Sequence, residues 1–202
     1  HELSETITDH VYHGPCAIEL PYKAVTGMLP IFKDKENALA NLFFIAYFAE
    51  GENRPITFVF PGGPGGACGL ESICTIGPRR LKMPAEGKKL LPPYSMIDNP
   101  ESMLPWTDLV FVDPVDTGYS HFTEDAKEED IQEFFSIDGD IASLGDFIRN
   151  FVARFEKWNA PKYLFGSSYG TLRCSGLAEY LLDYDFSLHG IILLGSAMDY
   201  ST

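Results

Sequence analysis

The sequence predicts an α/β protein: a mostly parallel sheet preceded by an N-terminal antiparallel hairpin. Three observations carry that expectation. Ile56–Phe60, Asp108–Val112 and residues 163–165 are short apolar runs, and each gives way to a loop containing glycine, as buried parallel strands do. Between the second and third runs, Ile141, Leu144, Phe147, Ile148, Phe151, Val152 and Phe155 recur at spacings of three and four, the stripe of an amphipathic helix packed on a sheet. A second helical pattern to about Asp183, followed by the apolar run 191–194, completes a β-α-β-α-β order.

The hairpin is read over residues 25–55. Two apolar segments flank the charged run Lys33-Asp34-Lys35-Glu36-Asn37, and the second of them, 42–48, is rich in β-prone residues. Ile56–Phe60 then runs directly into Pro61-Gly62-Gly63-Pro64-Gly65-Gly66, and a long proline-dotted connection follows through Pro105. A connection of that length is expected to be functional or mobile. Asp108–Val112 exits through Asp113-Pro114-Val115-Asp116-Thr117-Gly118. The six acids between residues 124 and 133 read as a solvated first helical turn rather than a cation site.

Composition narrows the function. The chain of 202 residues, 45% of them hydrophobic, suits one globular domain. A net charge of −14 with no Lys/Arg cluster disfavours nucleic acids and anionic lipid surfaces as partners. The longest apolar stretches, 42–49 and 191–194, fall well short of the roughly 20 residues needed to cross a bilayer. Cys16, Cys68, Cys74 and Cys174 lack zinc-ligand spacing with each other or with histidine. Cys68 and Cys74 could bridge within one loop, or remain as buried thiols.

The feature that carries chemistry is Gly166-Ser167-Ser168-Tyr169-Gly170, set between an apolar strand and a helical pattern. That is the sequence form of a nucleophile elbow, in which the glycines flank the tight turn two residues either side of the nucleophile. Ser168 is therefore the candidate nucleophile, not Ser167. The backbone N–H of Tyr169, the next residue, supplies one oxyanion donor. The second is expected from an earlier strand's exit loop, where Gly62-Gly63 lets backbone approach a substrate oxygen with no side chain in the way.

Gly62-Gly63-Pro64-Gly65, Trp106 to Pro114, Thr117-Gly118-Tyr119-Ser120 and the elbow stand in the order and spacing of the serine carboxypeptidase family, which the chain resembles. Asn53-Arg54-Pro55, Gly77-Pro78-Arg79-Arg80 and Trp158-Asn159-Ala160-Pro161-Lys162 make it most similar to the bacterial branch. The resemblance implies an α/β-hydrolase fold, with residues 1–202 forming the N-terminal part of a single domain whose cap and C-terminal part lie elsewhere. It implies Ser168 as nucleophile, Gly63 and Tyr169 as oxyanion donors, a peptide substrate, no metal or organic cofactor, and a secreted or periplasmic location.

Two positions depart from the family. Asparagine is usual where Pro61 stands and glutamate where Ser167 stands, the pair that hydrogen-bonds a peptide's free carboxylate. Proline has neither amide side chain nor N–H, and serine is too short to replace the carboxyl across the pocket. Loss of two such partners costs several kcal/mol of binding, so exopeptidase preference is not expected to follow the family. The family also usually has glycine at Asp116, and an anion pointing inward there would further disfavour a carboxylate substrate.

A nucleophilic serine needs an acid and a histidine, in this fold later in the chain. His189 is the one histidine after Ser168. It precedes its strand, so a parallel β-α-β unit puts it at the opposite sheet edge, roughly 15 Å away. His10, His13 and His121 violate the chain order, and Asp199, though on the correct side, lies before the segment from which the family draws its acid. The expectation is a companion C-terminal segment or chain that supplies both groups. The alternatives are a non-catalytic scaffold built on the same core, and an esterase or aminopeptidase of the same fold.

Overall fold

A computed structural model describes residues 5–32, 37–84 and 90–196. Its sheet has the order β1-β2-β3-β7-β4-β9-β10, formed by Thr6–His13 (β1), Glu19–Phe32 (β2), Ala38–Ala49 (β3), Ile56–Phe60 (β4), Asp108–Val112 (β7), Lys162–Ser167 (β9) and Gly190–Leu194 (β10). The first three strands pair antiparallel, β3 pairs antiparallel with β7, and β7, β4, β9 and β10 are parallel. The expected hairpin is thus a three-stranded meander, with most of its charged turn outside the described residues. The added strand, β1, exposes seven of its eight residues, so it has no alternation to betray it and is held by its ladder with β2.

The helices α3 (Ile137–Arg154) and α4 (Tyr169–Asp183) cover one face. The predicted stripe supplies the core there: Leu144, Phe147, Ile148, Phe151 and Val152 are buried against Phe44, Phe58, Val110 and Leu164. Phe151 meets Phe44 edge-on at 5.2 Å and Phe58 at 5.6 Å, and Phe155 at 4.4 Å, contacts worth more than their area alone. Ser136 begins α3 by accepting a hydrogen bond from the Gly139 amide at 3.0 Å, an N-cap that satisfies an otherwise orphaned donor.

The proline-dotted connection covers the opposite face. It contains α1 (Gly69–Cys74) and a two-stranded ribbon of β5 (Arg79–Leu81) and β6 (Met96–Asp98). Asn99, fully buried, ties it down by donating to the carbonyls of Thr75 and Gly77, while its own carbonyl accepts from Tyr12. Tyr12, Val59, Leu104, Leu109, Phe111 and Phe165 form the core beneath it. The remaining described elements are a single 3-10 turn (Pro15–Ala17), a short β8 (His121–Phe122) on β3 and α2 (Glu128–Phe134). Five of the six acids near α2 are exposed, but Asp130 is buried, against the fully solvated expectation.

At the far edge, β10 leaves Ile191, Ile192, Leu193 and Leu194 between 37% and 54% exposed. Among the described residues no helix is long and apolar enough to cross a membrane. Cys68 and Cys174 are buried free thiols, and Cys16 and Cys74 are exposed and free.

Candidate active site at the carboxyl edge of the sheet

Three loops leaving β4, β7 and β9 converge at one edge of the sheet, where open α/β folds bind ligands. Ser168 stands between β9 and α4 with φ 51 and ψ −118, a backbone state costing a non-glycine residue about 1–3 kcal/mol unless its surroundings enforce it. They do so: the Ser168 amide donates to Leu194 O at 2.9 Å, and its carbonyl accepts from both the amide and the hydroxyl of Thr171. A Cβ on Gly166 would lie 2.1 Å from Gly170 O, and one on Gly170 would lie 2.4 Å from Phe60 O. Both flanking glycines are therefore required by close backbone approach.

The glycine loop lies directly against the serine. A Cβ built on Gly62 would meet Ser168 Cβ at 3.0 Å and Oγ at 3.6 Å. Gly63 has φ +123, and a Cβ there would fall 2.7 Å from the Gly65 amide, so only glycine allows this loop shape. The loop is held by Arg173, which is 3% exposed and which the motif reading did not single out. Its guanidinium donates to Pro61 O at 2.9 Å, pairs with Asp140 at 2.7 Å and lies 4.9 Å from the Tyr169 ring. Helix α4 thereby connects the elbow to the loop before it. A charged residue on the buried side of that helix was the available signal.

Asp113, also missed, joins the other two loops. Its carboxylate, nearly inaccessible, accepts from the Cys68 amide at 2.8 Å and the Tyr119 amide at 3.0 Å. Beside it Asp116, exposed and with φ 58, lines a cavity of about 320 Å³ together with Gly65, Thr117, Phe135, Tyr169 and Arg173. Asp116 thus borders the space adjoining the elbow.

Ser167 points to the other side. Its hydroxyl donates to Glu71 Oε1 of α1 at 2.9 Å, across 96 residues of chain. Glu71 is 7% exposed, and its Oε2 is enclosed without a hydrogen-bond partner among the described residues. The sequence reading left this side of the pocket without a carboxyl group; the structure supplies one from a helix that reading did not anticipate.

The histidines are occupied elsewhere. His189 Nδ1 accepts from the Lys162 amide at the amino end of β9, the opposite edge from Ser168. His10 contacts Thr8, His13 pairs with Asp98, and His121 contacts the Tyr119 carbonyl. Asp199 lies outside the described residues. A larger depression, of about 680 Å³, is lined by His10, Tyr22, Phe48 and Gly51. It sits at the amino edge, away from the elbow.

Comparisons with known proteins agree with this architecture. The carboxypeptidase Kex1 of Saccharomyces cerevisiae, described as prohormone-processing, superposes with a TM-score of 0.67 at 20% identity over 85% of this chain and 38% of its own. The cell-wall-degrading esterase LipA of Xanthomonas oryzae gives 0.51 at 10% identity over 95% of this chain and 48% of its own. The chain therefore spans less than half the length of either protein, and at these identities the likeness is one of fold. No curated protein matches the sequence. The sequence model of the family described as serine carboxypeptidase matches residues 16–199, and with nine-tenths of its length so matched, the chain belongs to the serine carboxypeptidase family.

Proposed function

We propose that this chain carries the nucleophile of a serine hydrolase acting on peptide bonds. Ser168 Oγ attacks the substrate carbonyl and gives its proton to a histidine. The oxyanion is held by the N–H groups of Gly63 and Tyr169, and collapse expels the amine, leaving an acyl-enzyme that water hydrolyses. The observation that carries the reading is the enforced positive φ of Ser168 with the Gly62-Gly63 backbone packed on its side chain.

The acid and the histidine come from a companion segment or chain. The apolar surface of β10 supports its docking beside that strand, because an exposed, apolar edge strand is a pairing template. Pro61 and Ser167 occupy the positions of the family's carboxylate readers, so cleavage is not restricted to residues beside a free C-terminus. Family membership supports a peptide substrate and a secreted or periplasmic location. The strongly negative charge disfavours nucleic acids and anionic membranes.

Intact-mass measurement of the complete protein after incubation with a fluorophosphonate tests the proposal. One adduct, mapped to Ser168 and absent from the Ser168→Ala variant, is expected. A folded protein that takes up no label is a scaffold and not a hydrolase. A panel of neutral esters and peptide amides then separates esterase from peptidase activity.

A further inference from the structure

We infer that Glu71 and Ser167 form a subsite for a primary ammonium group of the substrate. The inference rests on the assignment of Ser168 as nucleophile and deepens it.

A serine hydroxyl has one proton to donate and two lone pairs to accept with. Ser167 gives its proton to Glu71 Oε1, so toward the substrate it offers acceptors only. A group binding there must be a donor, which excludes a substrate carboxylate and selects an N–H. Charge then selects the kind of N–H. Glu71 is 93% buried by the complement of its 7% exposure, and neither lysine, arginine nor histidine pairs with it among the described residues. Its second oxygen has no hydrogen-bond partner among the described residues.

An enclosed carboxylate that is neither paired nor fully hydrogen-bonded is costly and calls for an explanation in function. In a site of low dielectric its field is weakly screened and emerges through the one partner it has, the half-buried hydroxyl next to the nucleophile. An ammonium held by Ser167 would supply the missing positive charge, an amide would not. Asp116, which lines the cavity beside Tyr169, adds to the negative potential of this edge, while Arg173 in the same lining is already paired with Asp140. Because Ser167 and Ser168 are consecutive residues, the ammonium must sit on the residue bearing the scissile carbonyl, as its α-amine or on its side chain.

The test compares alanine p-nitroanilide, N-acetylalanine p-nitroanilide and N-acetyllysine p-nitroanilide in the complete protein, in Glu71→Gln and in Ser167→Ala. The two amine-bearing substrates separate an α-ammonium from a side-chain ammonium. At least one is expected to exceed the neutral N-acetylalanine substrate about tenfold or more in kcat/KM, with the ratio falling toward one in both variants. Ser167→Ala is a second, milder change that keeps the result readable if Glu71→Gln folds poorly. Fluorophosphonate labelling of the wild-type protein separates the two levels of the argument. Label on Ser168 with a ratio near one, or with a ratio that survives both variants, overturns the subsite while leaving the nucleophile in place. No label at all overturns both.

Discussion

Two buried carboxylates, Asp108 at the amino edge of the parallel sheet and Glu71 at the carboxyl edge, are treated in opposite ways. At the amino edge Asp108 is fully enclosed and fully answered: one oxygen accepts from Arg54 at 2.9 Å and from the Ala49 amide at 3.1 Å, the other from Lys157 at 3.0 Å. At the carboxyl edge Glu71 is almost as deeply enclosed but, among the described residues, has one neutral donor on one carboxylate oxygen and none on the other. Glycine follows the same division. It is packed around Ser168, where backbone must approach backbone, whereas the amino edge is closed with side chains. Asp113, at the carboxyl edge as well, has both oxygens answered by amides, so it is Glu71 in particular that is left incomplete without a ligand, and this separates stabilising carboxylates from one available for chemistry.

The largest expected effect breaks the completed edge. Asp108→Ala leaves Arg54, Lys157 and the Ala49 amide without their shared acceptor. Removing one partner from a buried ionic cluster costs about 3–5 kcal/mol. Urea unfolding should show that loss, while the protein that remains folded keeps its rate of fluorophosphonate labelling. A labelling rate that falls along with stability would mean that the two edges are not independent.

A smaller effect is expected at the open edge from Arg173→Lys. Lysine keeps the charge but cannot serve Asp140 and Pro61 O together with a planar fork. The Gly62-Gly63 loop should then lose its fixed position against Ser168. A displacement near the reacting centre can cost about 10–100-fold in rate. The expected signature is a lower kcat and slower labelling at nearly unchanged KM. A purely structural role for Arg173 would lower stability without that split.

Much of this arrangement is legible in the sequence, and the boundary of legibility is physical. Ile56–Phe60, Asp108–Val112 and α3 announce themselves because they are buried on their own account and leave a hydrophobic period. The elbow is legible because its two glycines recur at a fixed short spacing about the serine, although only Gly166 answers a local contact, with Gly170 O, while Gly170 answers the distant Phe60 O. By contrast β1 buries one residue and leaves no period, and α1 is only six residues long. Glu71, Asp113 and Arg173 are invisible for a different reason. Their meaning lies in partners 96, 45 and 112 residues away, a relation that no local pattern encodes. What the family departures at Pro61 and Ser167 remove could be read from the sequence, but the carboxylate of Glu71 behind Ser167 emerges only in three dimensions.

The smallest effect sharpens the comparison from the amino edge again. Tyr22 is paired in register with Ala49, whose amide binds Asp108, and it stacks on His10 at 5.2 Å. Burial, with the neighbouring Tyr47 as a lesser cause, pushes its hydroxyl up to about 12 from the usual 10.0. The folded protein therefore retains this proton where the unfolded chain has lost it. Below pH 10 both states are protonated and the group has no pH-dependent effect. As pH rises from 10 toward 12, the unfolded chain gains from ionisation and the folded one does not, so stability is lost. Between pH 9 and 11 the loss from this tyrosine is about 1 kcal/mol. Urea midpoints measured across that interval should fall less steeply in Tyr22→Phe than in the wild type, and equal slopes would mean that Tyr22 ionises as readily in the folded protein as in the unfolded chain. The same substitution should not alter the ratio between amine-bearing and neutral substrates, because the proton it removes belongs to the edge that needs no ligand.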